Sequence, residues 1–152
     1  MDNALTLRTV TPDNVTAACG IKVAPEQEAF VAPVAESLAE AYASFESAWP
    51  RLVYAGDEPV AFVMGGFDAE AELEFFRCGI WRLNVDARHQ RAGYGRFAVE
   101  AVLAEARRRG SNRATVLWKR GPNGPEGFYR RMGFKPTGEE FAGQCVGAIA
   151  LD

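Results

Sequence analysis

One segment of the chain, residues 84–96, combines glycines with arginines immediately before the strongest predicted helix. The N–H groups at the start of a helix have no partner within it, and the helix dipole favours negative charge there. Gly93 and Gly95 are expected to allow a positive φ and a close approach of the backbone to a ligand. Formal positive charge is added by Arg88, Arg91 and Arg96. The segment is therefore expected to bind an anion, and a pyrophosphate in particular.

The spacing of these residues narrows the class of anion. The segment matches neither the GxGxxG pattern of dinucleotide-binding proteins nor the phosphate loop of nucleotide hydrolases, which needs a Lys-Ser/Thr pair. NAD and ATP are therefore not indicated. From the spacing alone, a glycine-containing loop that only turns the chain stays open as the alternative.

Hydrophobic periodicity predicts the elements that position this segment. A strand over residues 73–85 leads into it, and a helix over residues 95–109 follows, with Val99, Val102, Leu103 and Ala106 on one apolar stripe. Further strands are predicted at residues 5–10, 51–55, 60–67, 113–118, 135–139 and 145–151. Further helices are predicted from Thr11 as the cap, at residues 34–45 and at residues 126–132. This order indicates an α/β or α+β fold around a mixed sheet.

Length and composition bound the class of protein. The chain has 152 residues, of which 48% are hydrophobic and 24% charged, and residues 1–152 are read as one domain. No apolar run approaches the ~20 residues of a membrane span, and the first residues do not resemble a secretion signal. Three widely spaced cysteines form no metal or disulfide pattern. We expect a cytoplasmic protein without a metal site or a membrane partner.

Charge is segregated along the chain. Residues 23–74 contain eleven carboxylates and one arginine, whereas residues 77–131 contain thirteen basic residues and four carboxylates. The basic half suits an anionic ligand and the acidic half a cationic one, although solvated helix faces would give the same acidic pattern. Nucleic acid is not expected as a partner, because the chain has no basic surplus and no nucleic-acid-binding motif.

Two motifs resemble the hallmarks of the GNAT superfamily of N-acetyltransferases. Gln90-x-x-Gly93-x-Gly95 matches its Q/R-x-x-G-x-G/A signature, and Phe128-Tyr129 followed by Gly133-Phe134 resembles its second hallmark. The resemblance implies a mostly antiparallel sheet with two splayed strands and acetyl-CoA in the cleft between them. It implies that the pantetheine arm is held by the backbone of Leu83, Asn84 and Val85, and the pyrophosphate by Gln90, Arg91, Ala92, Gly93, Tyr94, Gly95 and Arg96.

Transfer of an acetyl group to an amine needs a neutral amine, a polarised thioester carbonyl and a proton for the departing thiolate. The resemblance implies that Tyr129 donates this proton, with a packing aromatic as the alternative. The N–H of Val85 is the expected group that polarises the carbonyl.

The chain departs from the superfamily pattern at three places. Residues 77–82 lack the glutamate that some members carry as a general base, which leaves Glu72 and Glu74 as candidates, with exposure to solvent as the alternative for both. Arg91 stands where glycine is common. Asn123 only approximates the position of an asparagine that contacts CoA.

The acceptor is predicted from the N-terminal half. Residues 23–41 resemble bacterial diamine and polyamine (spermidine/spermine) acetyltransferases, in agreement with the acidic composition of this half. Glu26, Phe30, Glu72 and Glu74 are therefore predicted to contact the substrate amine. An antibiotic or a protein amine is the alternative acceptor, and a non-catalytic acyl-CoA-binding module is the alternative function. A homodimer is compatible with the sequence.

Overall fold

A sheet of seven strands runs through the centre of the structure, which is a computed structural model and describes residues 4–152. The strands are β1 (Leu5–Arg8), β2 (Ala48–Ala55), β3 (Glu58–Phe67), β4 (Cys78–Val85), β5 (Arg113–Trp118), β6 (Lys135–Phe141) and β7 (Gln144–Ala150). The helices are α1 (Val15–Cys19), α2 (Val34–Ala43), α3 (Tyr94–Arg108) and α4 (Glu126–Met132). Short 3₁₀ turns occupy Pro25–Phe30, Glu74–Phe76 and Ala87–His89.

The order of strands in the sheet is β1-β2-β3-β4-β5-β7-β6, and only the central β4–β5 pair is parallel. That pair is short, with Gly79 opposite Thr115 and Ile80 opposite Val116. A Cβ on Gly79 would lie 2.1 Å from the Thr115 carbonyl oxygen, so the close approach of the two strands requires glycine. Beyond Ile80 the second half of β4 has no strand partner on this side. The predicted α/β fold with a mostly antiparallel sheet and splayed strands is confirmed.

Each face of the sheet carries its own core. One face packs against α3, whose predicted stripe of Val99, Val102, Leu103 and Ala106 is at most 4% exposed. The opposite face packs against α1 and α2 through Leu52, Phe62 and Met64. The core therefore fixes α3 beside β4, and with it the segment that joins them.

The last turns of α3 carry an ion-pair network. Glu105 accepts hydrogen bonds from Arg108 and from Arg109, whose Nε lies 2.8 Å away. The hydrogen bond from Arg108 is the main reason that the pKa of Glu105 falls from 4.5 to about 2. The arginines at the end of α3 thus have a partly buried carboxylate as their partner.

Several predicted boundaries are confirmed and others are wrong. The strand at 113–118 and the helix at 126–132 agree with β5 and α4. The strand predicted from residue 73 begins only at Cys78. Helix α1 is preceded by Asn14 rather than capped by Thr11. The helix predicted over residues 34–45 ends at Ala43, and Tyr42 and Phe45 at this end are 86% and 75% exposed.

Within residues 4–152, no helix is both long enough and apolar enough to cross a bilayer.

Candidate active site

A cleft of about 1020 Å³ opens where β4 and β5 separate. Its walls are the second half of β4, the start of α3, α4, and the segment from residue 23 to residue 33, which contains the 3₁₀ turn Pro25–Phe30. The cleft is therefore formed at the one parallel junction of the sheet. An extended ligand in it would lie along the β4 edge that has no strand partner, where backbone amides are available.

The end of the cleft at α3 has the geometry of an anion site. Gly93 precedes the helix with a φ of 85°, and the first helical hydrogen bond runs from the Phe97 N–H to the Gly93 carbonyl at 3.1 Å. The N–H groups of Gly93 to Arg96 find no acceptor within the described part of the chain. These residues line the cleft, so unpaired donors and the positive end of the helix dipole point at the same space. The predicted left-handed conformation at Gly93 is confirmed.

The positive φ expected at Gly95 is wrong. Gly95 is the second residue of α3 and its φ is negative. A Cβ there would lie 3.3 Å from the Phe128 ring and 3.5 Å from Val85 Cγ2. Glycine at this position therefore brings the start of α3 close to β4 and α4, and conformational freedom is not the cause.

The arginines near Gly93 differ in their roles. Arg91 adopts a φ of 65°, the left-handed conformation that costs a non-glycine residue about 1–2 kcal/mol. Arg91 and Arg96 line the cleft, and the Arg96 side chain is 60% exposed. Arg88, expected to add charge here, instead pairs with Asp86 at 3.0 Å and does not line the cleft. Burial alone would raise the pKa of Asp86, but the hydrogen bonds from Arg88 outweigh burial and lower it.

Gln90 holds the cleft wall in place. Its amide nitrogen donates to Gln27 Oε1 at 2.6 Å and to the Val85 carbonyl at 3.1 Å, while Gln27 donates back at 3.1 Å. Gln27 Oε1 also accepts from the Ala24 N–H. This reciprocal amide pair ties the 3₁₀ turn of residues 25–30 to the end of β4. The Gln90 side chain thus makes structural contacts, and the residue still lines the cleft.

The three β4 residues predicted to hold pantetheine divide into two groups. Leu83 and Val85 line the cleft. Asn84 is 2% exposed and lies outside the lining, with its Nδ2 donating to the Ala32 carbonyl at 3.0 Å. Its Oδ1 is buried without a partner in the described residues. The Asn84 side chain therefore anchors the segment after the 3₁₀ turn against β4.

Tyr129 lies in α4 and reaches the cleft from the side of β5. Its ring stacks on Trp118 with centroids 5.7 Å apart and meets Phe128 and Phe134 edge to face. Tyr129 is 5% exposed, and burial raises the pKa of its phenol above the ordinary value. The phenol is thus held rigidly and stays protonated at neutral pH. Among the described residues, no hydrogen-bond partner of the hydroxyl is found.

The turn before α4 completes the far wall. Asn123 has a φ of 66° and lines the cleft. The Phe30 ring packs on this turn so closely that a Cβ on Gly124 would lie 2.9 Å from it. Lys119 Nζ donates to the Ala29 carbonyl at 3.4 Å. The segment that carries Phe30 therefore spans the cleft from β4 to the loop after β5.

The four predicted substrate residues do not lie together. Glu26 and Phe30 line the cleft, whereas Glu72 and Glu74 do not. Because β4 begins at Cys78, Glu72 stays in an exposed loop and Glu74 forms an ion pair with Arg113. The structure therefore does not place Glu72 and Glu74 beside the cleft, and their predicted role there is wrong.

Sequence reasoning missed the residues at the middle of the cleft. Trp81 is the extra residue of a β-bulge, since Met64 pairs with Arg82 and Gly65 with Ile80. Arg82 donates from Nη2 to Glu40 at 2.8 Å. In the sequence, the only indication of these residues was a Trp-Arg pair within an otherwise apolar strand. β-Bulges are frequent beside active sites.

Comparison with known proteins identifies the family. Residues 13–134 match the family model described as Acetyltransferase (GNAT) family. The chain belongs to this family. Its members are acetyltransferases, so the chain is an acyltransferase by family, and the resemblance inferred from the two motifs is confirmed at this level. No curated protein sequence matches the chain.

Solved structures show the same fold at low sequence identity. A putative GNAT acetyltransferase from Desulfovibrio desulfuricans has 16% identity and a TM-score of 0.71, covering 98% of this chain and 100% of its own. The PaiA N-acetyltransferase from Thermoplasma acidophilum, in complex with coenzyme A, has 10% identity and a TM-score of 0.68, covering 97% and 99%. YncA, a putative acetyltransferase from Salmonella typhimurium with its cofactor acetyl-CoA, has 18% identity and a TM-score of 0.66, covering 99% and 95%.

Side chains that could hold a metal are dispersed in this GNAT chain. Within residues 4–152, no three His, Cys, Asp or Glu residues come together as a metal site.

Proposed function

We propose that this GNAT acetyltransferase transfers the acetyl group of acetyl-CoA to a primary amine of a small diamine or polyamine. The observation that carries the proposal is the coincidence of three features in one cleft. These are the free N–H groups at the start of α3, the unpaired edge of β4 and the buried phenol of Tyr129.

The cleft fits acetyl-CoA by its chemistry. A pyrophosphate at the start of α3 would accept hydrogen bonds from the N–H groups of Gly93 to Arg96 and face the charges of Arg91 and Arg96. The amides of the pantetheine arm would pair with the free edge of β4 near Leu83 and Val85. The relatives from Thermoplasma acidophilum and Salmonella typhimurium, which contain CoA and acetyl-CoA, support this assignment.

The residues of the cleft supply what acetyl transfer needs. The neutral amine nitrogen attacks the thioester carbonyl carbon, so that a C–N bond forms and the C–S bond breaks, while the nitrogen loses a proton to solvent water, from which Tyr129 is reprotonated after each turnover. The Val85 N–H polarises the carbonyl, and Tyr129 donates the proton that converts the departing thiolate to a thiol. The phenol of Tyr129 carries its proton at neutral pH, and burial raises its pKa further above the ordinary value.

A cationic acceptor is supported by carboxylates at the cleft. Glu26 and Glu28 lie on the 3₁₀ turn Pro25–Phe30 and line the cleft, and both are exposed. Neither makes an ion pair with another described residue. Unpaired negative charge at this position attracts and steers an ammonium ion, and a polyamine carries several. A cytoplasmic location and a homodimer remain predictions from the sequence.

The test measures CoA release by the purified protein with acetyl-CoA and a panel of amines. The panel contains putrescine, spermidine, an aminoglycoside, free amino acids and a lysine peptide. We expect the diamine and polyamine to have the highest kcat/KM. Preferred turnover of the aminoglycoside or the peptide would refute the polyamine acceptor and leave the acetyltransferase assignment intact. An acetyl-CoA-induced rise in Tm without CoA release from any amine would indicate a non-catalytic binding module.

A further inference from the structure

A second cavity of about 320 Å³ adjoins the cleft. The two spaces share four lining residues at the point where the strands separate, and these are Trp81, Arg82, Leu117 and Gln144. The start of α3 lines only the larger space, so an acyl thioester anchored there would bring its carbonyl towards the shared residues. An amine that reaches the carbonyl from the opposite side must pass through the smaller cavity.

Aromatic side chains form the wall of the smaller cavity. Phe75, Phe76 and Phe141 pack edge to face, with ring centroids 5.0 Å apart for Phe75–Phe76 and Phe76–Phe141 and 5.8 Å apart for Phe75–Phe141. Trp81 lines the cavity from β4. Phe141 is 40% exposed at the end of β6, so one side of its ring stays accessible to a ligand. We call this wall, formed by Phe75, Phe76, Trp81 and Phe141, the aromatic wall.

The charged groups at this cavity neutralise each other. Glu40 and Arg82 are the charged residues among its lining, and they form an ion pair at 2.8 Å. Arg82 Nη1 donates in addition to the Trp81 carbonyl at 2.8 Å. The cavity therefore offers a ligand apolar contact rather than net charge.

We propose that the aromatic wall binds the hydrocarbon directly behind the reacting amine and thereby sets acceptor specificity. The proposal rests on the acetyltransferase function given above. It predicts selection of amines carried on a chain of methylenes or on a flat apolar group. A polyamine meets this requirement through the methylenes next to its terminal nitrogen, whereas an aminosugar presents hydroxyl groups that the aromatic wall cannot hydrogen-bond.

The experiment measures kcat/KM for linear monoamines from propylamine to hexylamine, with glucosamine as the polar comparison. Each methylene that leaves water for the aromatic wall should raise kcat/KM by about fourfold until the cavity is full. Phe141→Ala should flatten this increase to less than about twofold per methylene, mainly through KM. Phe45→Ala removes an aromatic ring that is 75% exposed and lies outside the cavity lining, and it should leave the increase unchanged.

A binding measurement separates this proposal from the proposed function. Calorimetric titration of hexylamine into the CoA-saturated protein should give a negative ΔCp and an affinity that Phe141→Ala weakens. If hexylamine binds in this way but no amine is turned over, the acetyltransferase function is refuted and the role of the aromatic wall is not. A kcat/KM that does not depend on chain length, a preference for glucosamine, or an unchanged chain-length dependence in Phe141→Ala would overturn the role of the aromatic wall.

Discussion

Substitution of Tyr129 by phenylalanine tests whether the phenol acts in the reaction or only in packing. The ring makes its contacts through stacking on Trp118 and edge-to-face contacts with Phe128 and Phe134, all of which phenylalanine keeps. The hydroxyl has no hydrogen-bond partner among the described residues, so its removal leaves no buried group unpaired. We therefore expect the free energy of unfolding to change by less than about 0.5 kcal/mol.

Turnover is expected to respond much more strongly. Loss of a positioned proton donor typically lowers the rate by about 10²–10⁴-fold, which corresponds to roughly 3–5 kcal/mol of transition-state stabilisation. Since the proposed contacts to the thioester carbonyl and to the CoA phosphates are made by backbone groups, the affinity for acetyl-CoA should stay within about twofold. The expected signature is therefore a lower kcat with an unchanged dissociation constant.

The assay combines CoA release, calorimetric binding of acetyl-CoA and urea denaturation. Tyr42→Phe is the matched control, because Tyr42 is 86% exposed on α2 and the same atom is removed far from the cleft. Its turnover should equal that of the unsubstituted protein. A Tyr129→Phe variant with turnover within fivefold of normal, or one destabilised by more than about 2 kcal/mol, would refute the reasoning.

Three further predictions follow from the geometry. Gly93→Ala and Gly110→Ala both replace a glycine that has a φ of 85° and open space where a Cβ would lie, so each should lower the free energy of unfolding in urea by about 1–2 kcal/mol. Only Gly93→Ala should weaken acetyl-CoA binding, by about tenfold in calorimetry, and equal weakening by both variants would contradict the anion site. Glu26→Gln should raise KM for spermidine about two- to fivefold at low salt, with Glu72→Gln, outside the cleft, as the control that stays unchanged. Because the pKa of Glu105 is lowered from 4.5 to about 2, its carboxylate stabilises the fold above pH 4.5 by about 1–2 kcal/mol, and this contribution is lost as the pH falls towards 2. Glu105→Gln should therefore destabilise the protein at pH 7 and not at pH 2. An equal loss of stability at both pH values would contradict this role of Glu105.

The geometry of the proposed phosphate-binding segment, residues 90–96, could be predicted because its determinants are local in sequence. The apolar stripe of α3 fixes the helix, Gly93 allows the left-handed turn before it, and the free N–H groups follow from helix geometry alone. The exception is Gly95, whose neighbours Phe128 and Val85 come from other elements. Spacing identified the glycine correctly but could not distinguish a conformational requirement from a packing one.

The acceptor side could not be predicted because its residues come from distant parts of the chain. Glu40 lies on α2, Phe75 and Phe76 precede β4, and Phe141 ends β6. Their proximity depends on the order of the sheet, in which β4 and β5 are neighbours and β7 places the β6–β7 hairpin beside them. No spacing rule along the sequence contains that information.

One misplaced boundary had a functional consequence. The strand predicted over residues 73–85 would have Glu72 and Glu74 at its start, as candidates for the general base. Instead, the Thr115 hydroxyl donates to the Phe75 carbonyl at 2.6 Å, which holds residues 74–76 in a 3₁₀ turn and removes that carbonyl from sheet pairing. The turn sends Glu74 to Arg113 at the surface and places the Phe75 ring against the smaller cavity. The tertiary hydrogen bond thus accompanies a wall of aromatic rather than carboxylate side chains, where the proposed selection acts through apolar contact, while the proposed attraction of a cationic acceptor acts at Glu26 and Glu28.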